Sequence, residues 1–307
     1  MRIKLLPAHP RFGFVNNRMV FFVFSALLVA ASVGLFLTKG LSYGIDFTGG
    51  IMIEVKTPQP NQIGDMRAKL GKLELGAIEL QEFGAPDDIL IRIPAQVGGE
   101  KANQTAVNAV KVALGDGIEY RRTELVGPKV SDELFWNGMY AVISAILAIL
   151  VYIWFRFEWQ FGLGAVVALS HDVITTIGVF SLIQHEFNLA TVAAVLTIAG
   201  YSINDTVVVF DRVRENLRKY KTKPMDELLN QSANETLSRT VMTSLTTLLA
   251  LVALYFLGGE IIRDFAFAMI WGVLIGTYSS VCLAVPLLLH MGVQRRTIEE
   301  EAAEQQP

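Results

Sequence analysis

The chain has 307 residues, 52% of them hydrophobic, and a mean hydropathy of +0.43. A soluble protein rarely averages above zero, so the excess must sit in long apolar runs, and a net charge of −3 points to no nucleic-acid partner. The one cysteine, Cys282, excludes a disulfide framework within the chain.

The first apolar run is Met19 to Thr38, the length of about 20 residues that a membrane helix needs. Arg2, Lys4, Arg11 and Arg18 precede it, as they would precede a secretory signal. The run is longer than the roughly 7–15 residues of a signal core, and the small residues Ala30, Ala31 and Ser32 lie inside it rather than after it. It reads as an uncleaved anchor behind a cytoplasmic N-terminus, 1–18.

Residues 39–133 change character. Gly44-Ile45-Asp46-Phe47-Thr48-Gly49-Gly50 comes first, and its glycines imply a tight backbone path. It lacks the strand-then-helix setting of a phosphate loop and reads as a structural elbow. Ile51 to Lys56 reads as a strand ended by Pro58 and Pro60, and Gln62 to Leu73 has helical spacing. Ala77 to Phe83 alternates, Gly84 to Asp87 reads as a turn, and Asp88 to Pro94 alternates again through Ile89, Ile91 and Ile93. Ala102 to Leu114 is helical, and Ile118 to Val126 is the last strand. The order β-α-β-β-α-β predicts a ferredoxin-like unit. No paired catalytic acids, metal-ligand spacing or nucleophile motif stands in it, so it reads as a docking domain.

Five further spans follow over 134–290: Leu134 to Phe155, Phe161 to Ile183, Leu189 to Phe210, Ser238 to Leu257 and Phe265 to His290. Trp154, Phe157 and Trp159 mark a membrane interface beside Arg156 and Glu158. Basic residues cluster at the N-terminus, between the fourth and fifth spans (Arg212, Arg214, Arg218, Lys219, Lys221, Lys223) and in the tail 291–307 (Arg295, Arg296). By the positive-inside rule these are cytoplasmic, which places both termini inside and 39–133 in the periplasm. The predicted fold is a polytopic α-helical membrane protein with six transmembrane helices and a periplasmic α+β ferredoxin-like domain between the first two.

Ionisable groups inside spans cost about 2.5–3.5 kcal/mol each at a helix centre, so each is a functional candidate. Asp205 is the foremost, on a stripe with Thr197 and Tyr201 that must face protein or water. His171 and Asp172 sit midway through the third span, and both are candidates to join a proton relay. His171 is either a proton carrier or a packed, hydrogen-bonded histidine. Arg239 opens the fifth span at a depth similar to that of Asp205, and either snorkels to the interface or pairs with that carboxylate. Asp211, Arg212, Glu260, Arg263 and Asp264 read as interface or turn charges. Gly162, Gly164, Gly200, Gly272 and Gly276 allow close helix approach. A carboxylate that moves relative to a guanidinium can switch between charged and neutral. One charge crossing the membrane yields about 2.3 kcal/mol per 100 mV, enough to bias a two-state element.

The glycine-rich segment 44–50, Ser170-His171-Asp172, the run from Ala199 through Asp205 to Arg212, and Ser238-Arg239-Thr240 together resemble the SecD/SecF family of the bacterial Sec export machinery. The resemblance runs from about Arg11 to Gln294. It implies a heteromer with SecD and kinship with half-units of resistance-nodulation-division exporters. It also implies association with the SecYEG channel and YajC, and use of the proton-motive force to help preprotein across the inner membrane. It assigns the proton relay to Asp205 and Arg239, and a hinge to Asp46, Gly49 and Gly50. Protons are the coupling ion; no other cofactor, no metal and no catalytic activity are expected. Two other readings stand beside it. A proton-driven small-molecule exporter subunit requires a ligand pocket in the outer domain, and a passive assembly scaffold requires Asp205→Asn to leave activity intact. An intramembrane enzyme would need a motif such as HExxH or GxSxG, and none is present.

Overall fold

The computed structural model describes residues 12–60, 62–83 and 85–293. Arg2, Lys4, Arg11, Gly84, Arg295, Arg296 and the acidic tail from Glu299 lie outside the described residues. In chain order the elements are α1 (Arg18–Lys39), β1 (Ser42–Tyr43), the single-turn α2 (Ile45–Thr48), β2 (Gly50–Lys56), α3 (Ile63–Leu70), β3 (Glu79–Phe83), β4 (Ala85–Ile93), α4 (Glu100–Leu114) and β5 (Glu119–Val126). Then come α5 (Pro128–Arg156), α6 (Trp159–Ile183), β6 (Glu186–Phe187), α7 (Leu189–Lys219), α8 (Met225–Leu257), α9 (Glu260–Ser279), a π-helical segment Ser280–Ala284, and α10 (Val285–His290). The chain divides into two compact units. One holds the described residues up to Ser42, Val142–Glu186 and the described residues from Ala190 on; the other holds Tyr43–Ala141 with Phe187–Leu189.

The first unit is helical. Among the described residues, six helices are long and apolar enough to cross a membrane: α1, α5, α6, α7, α8 and the stretch Ile262–His290. α7 and α8 overrun the apolar runs in the sequence, and together these extensions form a second stretch of core. Val213 and Leu217 of α7 are buried with Leu228, Leu229 and Ala233 of α8, and Val15 packs into the same cluster. The Asn216 side-chain amide donates to Ser232 (2.9 Å) and Glu235 (2.9 Å), and Asn234 both accepts from the Phe12 amide (2.9 Å) and donates to its carbonyl (2.8 Å). A hydropathy reading sees only the stretch of each helix that needs lipid; polar bonds of this kind carry the rest.

Inside a bilayer apolar side chains gain little by leaving lipid, so close packing of small residues does more of the work. Gly178 of α6 lies so near Ser32 of α1, and Gly272 of α9 so near Ile198 of α7, that a Cβ at either position would collide. Gly200, expected at a helix contact, faces open space instead. Phe157 is buried, ring against ring with Phe161 and Phe210 and under the Arg156 guanidinium (4.9 Å), while Trp154 and Trp159 are exposed. The last span widens into its π segment just before Pro286. Proline has no N–H for the carbonyl one turn back and its ring crowds that carbonyl, so a wider turn there is the expected relief.

The second unit contains an antiparallel sheet of order β3-β4-β2-β5 with α3 and α4 packed on one face. Its register sets Ile51 opposite Ile93, Ile53 opposite Ile91 and Val55 opposite Ile89. Period-two alternation puts these six on one face, where they share a core with Met66 and Leu70 of α3 and Val107, Val110 and Leu114 of α4. Met52 and Leu90, on the other face, pack with Ile45 and Val126. Glu54, also buried on that face, lies 3.8 Å from Arg121, which holds Asp88 at 3.0 Å. The predicted turn at 84–87 is corrected, because β4 begins at Ala85. The Thr57 amide donates to the Asp87 carbonyl (2.7 Å) and Lys56 is in register with Asp88, so the ladder extends past the expected strand end.

Candidate functional site

The candidate residues fall into two groups in the helical unit and one in the sheet unit. Asp172 stands at the centre of the helical bundle, fully buried on α6. Its Oδ2 accepts from Ser202 Oγ of α7 (2.6 Å) and from Ser279 Oγ at the end of α9 (2.7 Å). Its Oδ1 lies 2.9 Å from Nδ1 of His171. A carboxylate can only accept, so the ring carries its proton on Nδ1. Gly276 makes this meeting possible: a Cβ there would stand 3.4 Å from Ser202 Cβ and 3.6 Å from Asp172 Oδ2. The GxxxG pair of the last span thus packs on α7, Gly272 against Ile198 and Gly276 against Ser202.

His171 extends the network toward α1. Its ring faces that of Tyr278 with centroids 6.0 Å apart, and the Tyr278 hydroxyl donates to the Phe21 carbonyl (3.0 Å) and shares a hydrogen bond with Ser25 Oγ (3.0 Å). His171 Nε2 is buried with no hydrogen-bond partner among the described residues.

Asp205, three residues beyond Ser202 on α7, is 5% exposed. Thr240 and the charged Arg239 of α8 lie near its carboxyl. Its Oδ2 is nevertheless buried without a hydrogen-bond partner among the described residues, as are Thr240 Oγ1 and Thr206 Oγ1. The expected carboxylate–guanidinium contact is not made: no described ion pair within 4.0 Å joins Asp205 to Arg239, and Arg239 is exposed. The reason is angular. Arg239 and Thr240 are successive residues, about 100° apart around α8, and Thr240 takes the buried direction.

The stripe of Thr197, Tyr201 and Asp205 is corrected as well, since Thr197 is exposed, Tyr201 half-buried and Asp205 buried. Eight residues at about 100° each leave the two ends about 80° apart. The exposed face of α7 instead runs through Ala193, Thr197, Gly200 and Asn204. On α8 the exposed positions include Arg239, Thr243 and Thr246, with both threonine hydroxyls bonded back to their own helix. Tyr201 reaches inward, donating to Ser244 Oγ (3.3 Å), which is 2.6 Å from Thr277 Oγ1. The charges read as interface residues form networks: Arg156 grips both oxygens of Asp211 at 2.7 Å, and Arg212 bonds Glu215 (2.6 Å) and Glu235 (2.5 Å).

In the sheet unit, the glycine-rich segment contains α2, a helical turn not foreseen in the sequence. Asp46 within it accepts from the amide of Leu189, the first residue of α7 (3.0 Å), and so caps one of the unpaired amides of that helix end. Phe47 packs against Tyr43, Phe135 and Phe187. Gly49 and Gly50 have φ of +68° and +116°, and a Cβ on Gly50 would strike the Ile93 carbonyl. No side chain but hydrogen fits there.

Sequence reasoning missed Ser202, Ser279 and Tyr278, whose only signal was polarity inside an apolar run. It also dismissed Asp264, which is 7% exposed and 2.7 Å from His185 Nε2.

A family model for the C-terminal part of the protein export membrane proteins SecD/SecF matches residues 106–294, and one for the SecD/SecF GG motif matches 34–60. The chain is 47% identical to protein translocase subunit SecF of Rhodobacter capsulatus, over 99% of this chain and 96% of that protein. It is 46% identical to the subunit of the same name from Magnetococcus marinus over the whole of both chains. Among solved structures it resembles SecDF of Thermus thermophilus, a translocon-associated membrane protein, with TM-score 0.85 at 36% identity, over 95% of this chain. A SecDF in a super-membrane-facing form matches with TM-score 0.69 at 36% identity, over 99% of this chain. The chain spans 40% and 41% of the length of those two SecDF chains.

Proposed function

The chain belongs to the SecD/SecF family of protein export membrane proteins, and on that premise we propose that it fills the SecF half of a SecD–SecF unit that uses the proton-motive force to promote late steps of protein export. The observation that carries the proton part is Asp205: a buried carboxyl inside a span, with one oxygen unpartnered and a cation on the facing helix. Such a group has a vacant place for a proton, and Arg239 is positioned to favour its loss after a small movement of α7 against α8. The relay is therefore Asp205 with Arg239, while His171 and Asp172 take a different part, argued below.

The exposed polar face of α7 and α8 supports the partnership. Asn204, Arg239, Thr243 and Thr246 are costly against lipid and call for a protein or aqueous neighbour. We assign that neighbour to SecD, with SecYEG, YajC and the preprotein as further partners implied by the family. We read the sheet unit as ferredoxin-like, since its strand order and its β-α-β-β-α-β succession agree with that fold. The basic clusters support a multi-pass inner-membrane arrangement with both termini in the cytoplasm and the sheet unit in the periplasm. The hinge is Asp46 with Gly49 and Gly50. The subunit performs no catalysis and uses protons alone as its coupling ion.

The test is preprotein release from vesicles containing SecD and this chain, with and without a proton gradient, comparing wild type with Asp205→Asn. Gradient-dependent release that disappears in the variant is the expected result. Equal release from both would rule out the relay and favour a passive scaffold.

A further inference from the structure

The relay leaves a second buried aspartate unexplained. No hydrogen bond among the described residues joins Asp172 to Asp205, yet Asp172 draws three helices together: α6 through its own backbone, α7 through Ser202 and α9 through Ser279. Neither of its oxygens is left without a donor, unlike those of Asp205. Two serine hydroxyls point at Oδ2 and the His171 Nδ1–H at Oδ1, so three donors already favour the charged carboxylate and a proton arriving there would weaken them. Asp205 offers an unpartnered oxygen instead.

The position of Ser202 gives this completeness a consequence. Ser202 and Asp205 are three residues apart on α7, neighbours one above the other on the buried side of one helix. Whatever fixes the rotation and height of Ser202 fixes Asp205 relative to Thr240 and Arg239. On its other side Asp172 holds Ser279, the residue at which the regular helix gives way to the π segment. π segments inside α-helices are frequent at functional sites and shift the residues beyond them around the axis. We propose that Asp172 is a positioning residue for the proton step: as a carboxylate held by Ser202 and Ser279, it sets where α7 presents Asp205, and it does not carry the transported proton.

The proposal rests on the reading that Asp205 is the carrier. The titratable groups near Asp172 are His171 on its own helix, Tyr278 on α9 and Cys282 beside Tyr278 in the π segment; α7 brings Ser202, and α1 brings Ser25 through Tyr278.

The experiment is gradient-driven preprotein release from vesicles holding the SecD complex, recorded as a pH profile for wild type, Ser202→Ala, Ser279→Ala, the double serine variant, Asp172→Asn and Asp205→Asn. The amount of each complex in the membrane is measured alongside. The serine variants remove one hydroxyl each without adding volume, so they test the node even if Asp172→Asn does not assemble. The expected result is that the double serine variant still responds to the gradient but with its pH midpoint displaced by about one unit, because Asp205 now sits in altered surroundings. An unchanged midpoint in the double serine variant overturns the positioning role. So does an assembled Asp172→Asn complex that loses all gradient dependence while the serine variants keep the wild-type profile, since that pattern makes Asp172 a carrier. If Asp205→Asn keeps gradient-driven release, the relay reading itself fails, and this result is distinct from both others.

Discussion

Two aspartates lie buried on adjacent spans of the same bundle, and their surroundings are opposites. Asp172 is met by donors from three helices; Asp205 has a buried oxygen with no hydrogen-bond partner among the described residues. Burial alone therefore does not identify a moving part. A buried carboxyl with its donors in place is a fastening, because any change of state must break bonds already made. One with a vacancy can change state at smaller cost and suits a relay.

The largest effect that would break this contrast is on transport. Asp205→Asn abolishes gradient-dependent release while leaving the complex assembled; retained release would make the vacancy an accident of packing. Next comes stability. Ser279→Ala removes a donor from a buried carboxylate and lowers the stability of the purified chain by about 1.5–3 kcal/mol, read as thermal unfolding in detergent. The same change at Thr243, whose hydroxyl is exposed, costs much less, and equal losses at the two positions would show that the Asp172 node is nothing special. Gly50→Ala tests a different kind of fixed point. The positive φ and the nearby Ile93 carbonyl cost about 1–3 kcal/mol, seen as faster hydrogen exchange in β2 and β4. Asp46→Ala removes the cap on α7 at a cost of about 1 kcal/mol, whereas Asp46→Asn keeps most of it, both read as exchange at the Leu189 amide.

The smallest effect is at Asp87. The Lys56 ammonium, 3.2 Å away, holds its carboxyl below the ordinary value of 3.8, outweighing a slight upward push from burial. A carboxyl depressed in the folded chain contributes stability above that ordinary value and loses it as the pH falls through the lower, folded one. Lys56→Met thus costs a little stability at neutral pH, and its difference from wild type closes as the pH falls through the acid range; a variant that differs most at acid pH would contradict this.

How far the sequence could be read follows from the range of each interaction. Spans and strands show in it because apolar runs and period-two alternation are local, and Ile51, Ile53, Ile89, Ile91 and Ile93 identify their own sheet face. The pattern failed where a local rule met a distant partner. Ala85 and Pro86 suggest a turn until Ala85 pairs with Phe83 and Thr57 carries the ladder on to Asp87. Asp205 and Arg239 stood out because charge in a span is conspicuous, but which of Arg239 and Thr240 faces inward depends on how α8 is turned. Ser202 and Ser279 were invisible for the same reason: a serine in a span is common, and only the meeting of three helices around Asp172 gives these two a task.

The wide turn before Pro286 also bears on how the last span would answer a change in its length. A π segment is an α-helix holding one residue more than its regular turns require, so Ser280–Ala284 is where the span already stores an insertion. Deleting one residue there lets the turn close and leaves Val285–His290 at nearly its present angle around the axis. Deleting one residue from α9 before Gly272 rotates every earlier position by about 100° and turns Ala266, Ala268 and Met269 away from the core they now fill. The span is thus uneven in what it can lose: a residue removed from the π segment is absorbed on the spot, while one removed from the first half of α9 unpicks the packing.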